Sequence, residues 1–172
     1  KNITLAMGKE LKKILEKEGY KVYLTRSTDI FIPLRERVRI ARRHKADLFL
    51  SIHADSAVNR SAKGLSVYTL SAPAPEKEAA ALAERENKAD VIGGLNLVEH
   101  SKEVSDILIN LAQRESMNRS SEFATFMVQE MRKSVQLVDN THRFAGFAVL
   151  KAPDIPSALL EMGYLSNRTE ER

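Results

Sequence analysis

A chain of 172 residues with 43% hydrophobic content carries enough apolar material for one substantial core, which excludes a disordered chain. Its 27 Lys and Arg are interleaved with 23 Asp and Glu for a net charge of +4, so nothing demands a nucleic-acid partner, although a mildly basic surface suits an anionic polymer. Cysteine is absent, which removes disulfides, thiolate metal sites and cysteine nucleophiles and leaves His, Asp and Glu as available metal ligands.

The chain opens on Lys1-Asn2-Ile3-Thr4 without an initiator Met and enters a helical pattern at once, which reads as a fragment entered partway through a domain. It shows no apolar run of membrane-spanning length and no basic-then-apolar leader, so an export signal is expected to have been removed if the protein is exported. Ile3, Met7, Leu11, Ile14 and Leu15 recur at helical spacing, with Gly19 placed to cap the helix. Residues 20–25 alternate as a strand does, and Pro33 stands where a first-turn proline would begin a helix through Leu34, Val38 and Ala41. Residues 47–52 are apolar at nearly every position, which predicts a strand buried on both faces, and residues 64–70 read as a third strand.

From Pro75 the composition shifts toward Ala, Glu and Lys, giving a short helix that ends near Gly93-Gly94. A much longer helix is expected from about Ser101 to Leu137, with Val104, Ile107, Leu108, Leu111, Ala124, Met127, Val128 and Met131 as its core stripe. Residues 147–150 and 157–162 read as closing strands on either side of a turn at Pro153 and Pro156. Strands alternating with helices predict a three-layer α/β sandwich around a mixed, mostly parallel sheet, one domain over residues 1–172 with 75–100 as a helical insertion.

Two residues stand out chemically. His53 follows the apolar strand in Ser51-Ile52-His53-Ala54-Asp55, at the carboxyl edge where open α/β sheets bind ligands; the alternative is a histidine merely hydrogen-bonded at a strand end. Glu161 ends the apolar run Ala158-Leu159-Leu160, and a carboxylate there is costly to desolvate without a partner or a task. Near a metal, that task would be to take a proton from water and return it to a leaving group; the alternative is an ordinary ion pair. Arg26, Asp29 and Arg37 read as a structural charge cluster beneath the site. His44 sits in a basic helix end, and His100 and His142 fall in polar connections, all three expected at the surface.

Four runs appear in order: residues 24–29 (Leu-Thr-Arg-Ser-Thr-Asp), 34–37 (Leu-Arg-Glu-Arg), 46–55 (Ala-Asp-Leu-Phe-Leu-Ser-Ile-His-Ala-Asp) and 160–167 (Leu-Glu-Met-Gly-Tyr-Leu-Ser-Asn). Together they resemble the amidase_3 family of N-acetylmuramoyl-L-alanine amidases over nearly the whole chain. The resemblance implies a zinc-hydrolase-like fold and a Zn2+ held by two histidines and a glutamate. His53 matches the second histidine; the other two ligands are expected upstream of Lys1. Glu161 matches the catalytic glutamate. The insertion, with residues 82–90 (Leu-Ala-Glu-Arg-Glu-Asn-Lys-Ala-Asp), resembles the segment found in division-associated amidases of Gram-negative bacteria. That likeness implies a periplasmic, peptidoglycan-cleaving enzyme without a membrane span, covered by an autoinhibitory helix that an activator with a LytM-like domain displaces. Glu86 is the candidate autoinhibitory metal ligand, with Glu84 behind it. The competing expectation is an inactive amidase-like domain that binds peptidoglycan or a division partner.

Overall fold

The computed structural model describes residues 2–57, 59–70, 104–152, 154–168 and 170; the expected insertion, with Glu84, Glu86 and His100, lies outside them. In chain order the elements are helix α1 (Asn2–Lys17), helix α2 (Leu34–Arg43), strand β1 (Phe49–Asp55), strand β2 (Leu65–Thr69), helix α3 (Val104–Met131), strand β3 (Leu137–Phe144), a 3-10 turn (Ala148–Leu150) and strand β4 (Ser157–Tyr164). The strands form one sheet in the order β1-β4-β2-β3. β1 runs parallel to β4 and β2 parallel to β3, while β2 and β4 are antiparallel, so the sheet is mixed and mostly parallel.

The alternation of side chains along each strand decides the layers. Phe49, Tyr68 and Leu159 point to one face and pack with Leu34 and Ala41 of α2 and with Phe147, Val149 and Leu150 around the 3-10 turn. Val67 and Ala158 point to the other face, against Ala124, Phe123, Met127, Val128 and Met131 of α3. Helical layers therefore cover both faces of the described sheet, as expected. A buried serine pair fastens α3 to β4: Ser120 Oγ accepts the Ser157 N–H at 2.7 Å and donates to the Ser116 carbonyl at 2.7 Å. Ser120→Ala leaves that backbone N–H unpaired in a dry place, so it is expected to lower stability by about 1–3 kcal/mol. A reduced urea midpoint with an unchanged slope would report this; an unchanged midpoint would show that the bond is not needed.

Helix α1 ends as its sequence predicts: Gly19 has φ of 88°, and the bonds from Gly19 N to Glu16 O and from Tyr20 N to Leu15 O close a Schellman cap. Its apolar stripe is less covered than expected, with Ile3, Met7 and Ile14 exposed. Pro33 sits one position before the helix rather than in its first turn, with its carbonyl accepting the N–H groups of Glu36 and Arg37.

Four expectations need correction. Residues 20–25 alternate but pair with no strand among the described residues, and Tyr20 and Tyr23 are exposed; alternation without a ladder partner does not make a strand. The strand expected at 47–52 begins at Phe49 and continues to Asp55, and Leu50 and Ile52 are only half-buried, because β1 is an edge of the described sheet. Within residues 147–150 the chain forms a 3-10 turn (Ala148–Leu150) instead of a strand; so short an apolar run suits either, and here Phe147, Val149 and Leu150 are buried in the core cluster with α2 and the sheet. The long helix stops at Met131 rather than Leu137, and β3, unexpected from the sequence, follows it. As the other edge of the described sheet, β3 exposes Asp139 and Asn140, and this polar content masks its strand period.

Candidate functional site

His53 and Glu161 are brought side by side. Their Cα atoms are register partners between β1 and β4, and Ser66 of β2 is the register partner of Glu161 on its other side. Paired residues on neighbouring strands share a face, so His53, Glu161 and Ser66 form a row across the sheet, on the face that carries Phe49, Leu159 and Tyr68. Both residues lie inside their strands rather than just beyond them, His53 two residues before the end of β1 and Glu161 three before the end of β4. His53 is half-buried, with Nε2 at 3.1 Å from Ser51 Oγ. Glu161 is 1% exposed, and its Oε1 accepts the Asp55 N–H at 2.7 Å, a charge-assisted bond that offsets part of the cost of burial.

A β-bulge follows directly. From His53 to Asp55 is two residues on β1, whereas their partners Glu161 and Tyr164 are three apart on β4. The extra residue turns Tyr164 onto the face of Glu161 and Asp55. Burial pushes the Tyr164 phenol above its usual range, with Tyr68, Glu161 and Asp55 adding to the effect and Arg143 opposing it, so the group stays neutral. Gly163 permits the bulge: its φ is 125°, and a Cβ there would meet Glu170 Oε2 at 2.7 Å. The Glu170 carboxylate in turn accepts the N–H groups of Tyr164 and Gly64, joining the end of β4 to the start of β2.

The loops beyond the strands are stitched together by the remainder of the 160–167 run. Leu165 N donates to Asp55 O at 2.7 Å, Ser166 Oγ accepts the Ala57 N–H at 3.0 Å, and Asn167 Nδ2 donates to Ala62 O at 3.0 Å. Three residues escaped the sequence reading: Ser66, Tyr164 and Glu170. Only the glycine before Tyr164 signalled a bulge. Ser66 is fully buried, and its hydroxyl has no hydrogen-bond partner among the described residues, an arrangement that costs about 1–3 kcal/mol.

Arg26 pairs with Asp29 at 3.6 Å and donates to Thr4 Oγ1 of α1 and to the Thr28 carbonyl, while Arg37 donates to the Ile32 carbonyl at 2.8 Å. His44 is exposed and stacks on Tyr23 at 3.8 Å. His142 corrects the expectation of a solvent-exposed connection: it sits on β3, half-buried, at 2.9 Å from Thr69 Oγ1, on the α3 side of the sheet and therefore opposite His53. Burial holds it below the usual histidine range, so its stabilising contribution is full above that range and is lost on acidification as the unfolded chain takes up the proton.

Comparison with known proteins places these residues in context. The family model described as "Amidase_3: N-acetylmuramoyl-L-alanine amidase" matches residues 1–172. The chain is 41% identical to N-acetylmuramoyl-L-alanine amidase AmiC of Escherichia coli O6:H1, covering all of this chain and 42% of that protein. It is 39% identical to AmiA of Salmonella typhimurium, again over the whole chain and over 60% of that protein. The chain thus spans about half the length of these relatives. Among solved structures, the catalytic domain of CwlV from Bacillus (Paenibacillus) polymyxa var. colistinus matches with a TM-score of 0.56 and 26% identity, over 97% of this chain and 68% of that one. Ami1 from Mycobacterium smegmatis shares the fold at a TM-score of 0.62 and 19% identity, over 96% of this chain and 63% of that one.

Proposed function

Because this chain belongs to the Amidase_3 family of N-acetylmuramoyl-L-alanine amidases, we propose that it hydrolyses the amide between the lactyl group of N-acetylmuramic acid and the L-alanine of the peptidoglycan stem peptide. The observation that carries this reading is the placement of Glu161, a buried carboxylate in register with His53 at the carboxyl half of two parallel strands. In the mechanism Glu161 takes a proton from the attacking water and returns it to the departing amine of L-alanine. The Asp55 N–H holds the carboxylate in the resting site, and the bulge at Gly163 puts Tyr164 on the same face of the sheet.

Zinc belongs to this reading in part. His53 offers an imidazole to the metal, but among the described residues no group of three or more His, Cys, Asp and Glu could hold an ion, so they do not complete a zinc site by themselves. Zinc held through His53 would act as a Lewis acid on the lactyl carbonyl and make water a better acid. The further parts of the reading are a periplasmic setting, a role in cell division and a LytM-domain activator. Among the described residues, no helix is long and apolar enough to cross a membrane.

The test is incubation of the full-length protein with purified sacculi. The expected products are stem peptides with a free L-alanine amino group, without new glycan reducing ends; reducing ends without free L-alanine would overturn the reading. We include in it self-inhibition by the segment from about Pro75 to Gly94, whose high Ala, Glu and Lys content and few large apolar residues leave little surface to bury and therefore a cover that detaches at modest cost. Glu86→Ala, or removal of that segment, is expected to raise basal peptide release without an activator. Basal release unchanged or lowered in both variants, with the fold retained, would count against self-inhibition.

A further inference from the structure

The row His53–Glu161–Ser66 holds one group that the mechanism above does not use. Ser66 is fully buried in β2, directly opposite Glu161 in the antiparallel pair, and its hydroxyl is the buried side-chain atom left unpartnered among the described residues. As packing, a serine here is disfavoured, since alanine would fill the same place without stranding a polar group. Directly opposed residues of an antiparallel pair have their Cβ atoms about 4.5–5.5 Å apart, so rotation of the two side chains brings a serine hydroxyl onto a glutamate carboxyl group.

We propose that Ser66 is a positioning residue for Glu161, its hydroxyl binding the Glu161 carboxyl group as that group turns from the Asp55 N–H toward the attacking water. A backbone N–H can only donate, and Asp55 N holds Oε1 at 2.7 Å. A hydroxyl donates and accepts, so it serves the carboxylate before proton uptake and the carboxylic acid afterwards. Ser66 thereby keeps the carboxyl group aimed at the reacting atoms through both transfers. This rests on the reading of Glu161 as general base.

The experiment is steady-state kinetics of the full-length protein on a soluble muropeptide, together with thermal melting. Ser66→Ala is expected to lower kcat by roughly tenfold to a hundredfold, the worth of a hydrogen bond to a charged group, with KM within about twofold and Tm unchanged or raised, because a stranded hydroxyl has been removed. Ser66→Thr, which keeps the hydroxyl, should restore kcat; if its methyl group proves too large, Ser66→Cys, close in size and a weak donor, should fall between Ala and Ser. Wild-type kcat in Ser66→Ala overturns the proposal, as does a parallel fall of kcat and Tm that neither hydroxyl nor thiol restores. An inactive Glu161→Gln beside a fully active Ser66→Ala removes Ser66 alone, whereas an active Glu161→Gln removes the reading of Glu161 on which it rests.

Discussion

Glu161→Gln in the intact protein is expected to lose peptide release by about a hundredfold or more, since general acid–base catalysis contributes 10² to 10⁴, while the fold persists. The substitution is close to isosteric, and the amide oxygen can still accept the Asp55 N–H that Oε1 now holds at 2.7 Å, so the buried position stays filled and bonded. What the amide cannot do is take a proton from water. Removing a buried charge also removes a desolvation cost, so melting at or above the wild-type temperature is the expected companion result. Stem peptides released from sacculi by this variant at the wild-type rate would take Glu161 out of the mechanism.

The sequence exposed the parts of the fold whose period is set by a single environment. Gly19 announced its helix end because a left-handed residue closes a Schellman cap, and Leu34 and Ala41 of α2 announced the face that meets the sheet. Where an element lies between two environments the signal weakened. Among the described residues β3 pairs on one side only, so its exposed Asp139 and Asn140 broke the alternation that would have marked a strand. Residues 147–150 are apolar because they are wrapped by the core, and a buried turn and a buried strand share that composition.

The site was legible in the same uneven way. His53 and Glu161 could be picked out because each interrupts an apolar run with a group that is costly to bury, and the β1–β4 pairing set them in one register row. Their neighbours could not, because a serine, a tyrosine and a surface-like glutamate carry no such penalty in the sequence. Ser66 acquires meaning only from the antiparallel register with Glu161, Tyr164 only from a bulge that shifts its face, and Glu170 only from a fold-back that brings its carboxylate to the N–H groups of Gly64 and Tyr164. Each is a consequence of pairing between distant segments, which a single-chain period does not encode.

His53→Ala in the intact protein is expected to weaken zinc retention by about tenfold or more, because a three-donor site that loses an imidazole keeps too few ligands to hold the metal against a mild chelator. The side chain is half-buried near the end of β1, and its loss leaves the backbone ladder with β4 in place, so the protein should remain folded. Peptide release should fall together with zinc content, which separates this variant from Glu161→Gln, where zinc stays and turnover is lost. The measurement is metal content per chain after dialysis against the chelator, made on both variants and the wild type together. Full stoichiometric zinc in His53→Ala would show that His53 is not a ligand. It would leave the register row with a different purpose for its imidazole: a hydrogen-bonded neighbour of Ser51, at 3.1 Å from its hydroxyl, that orders the strand beside Glu161.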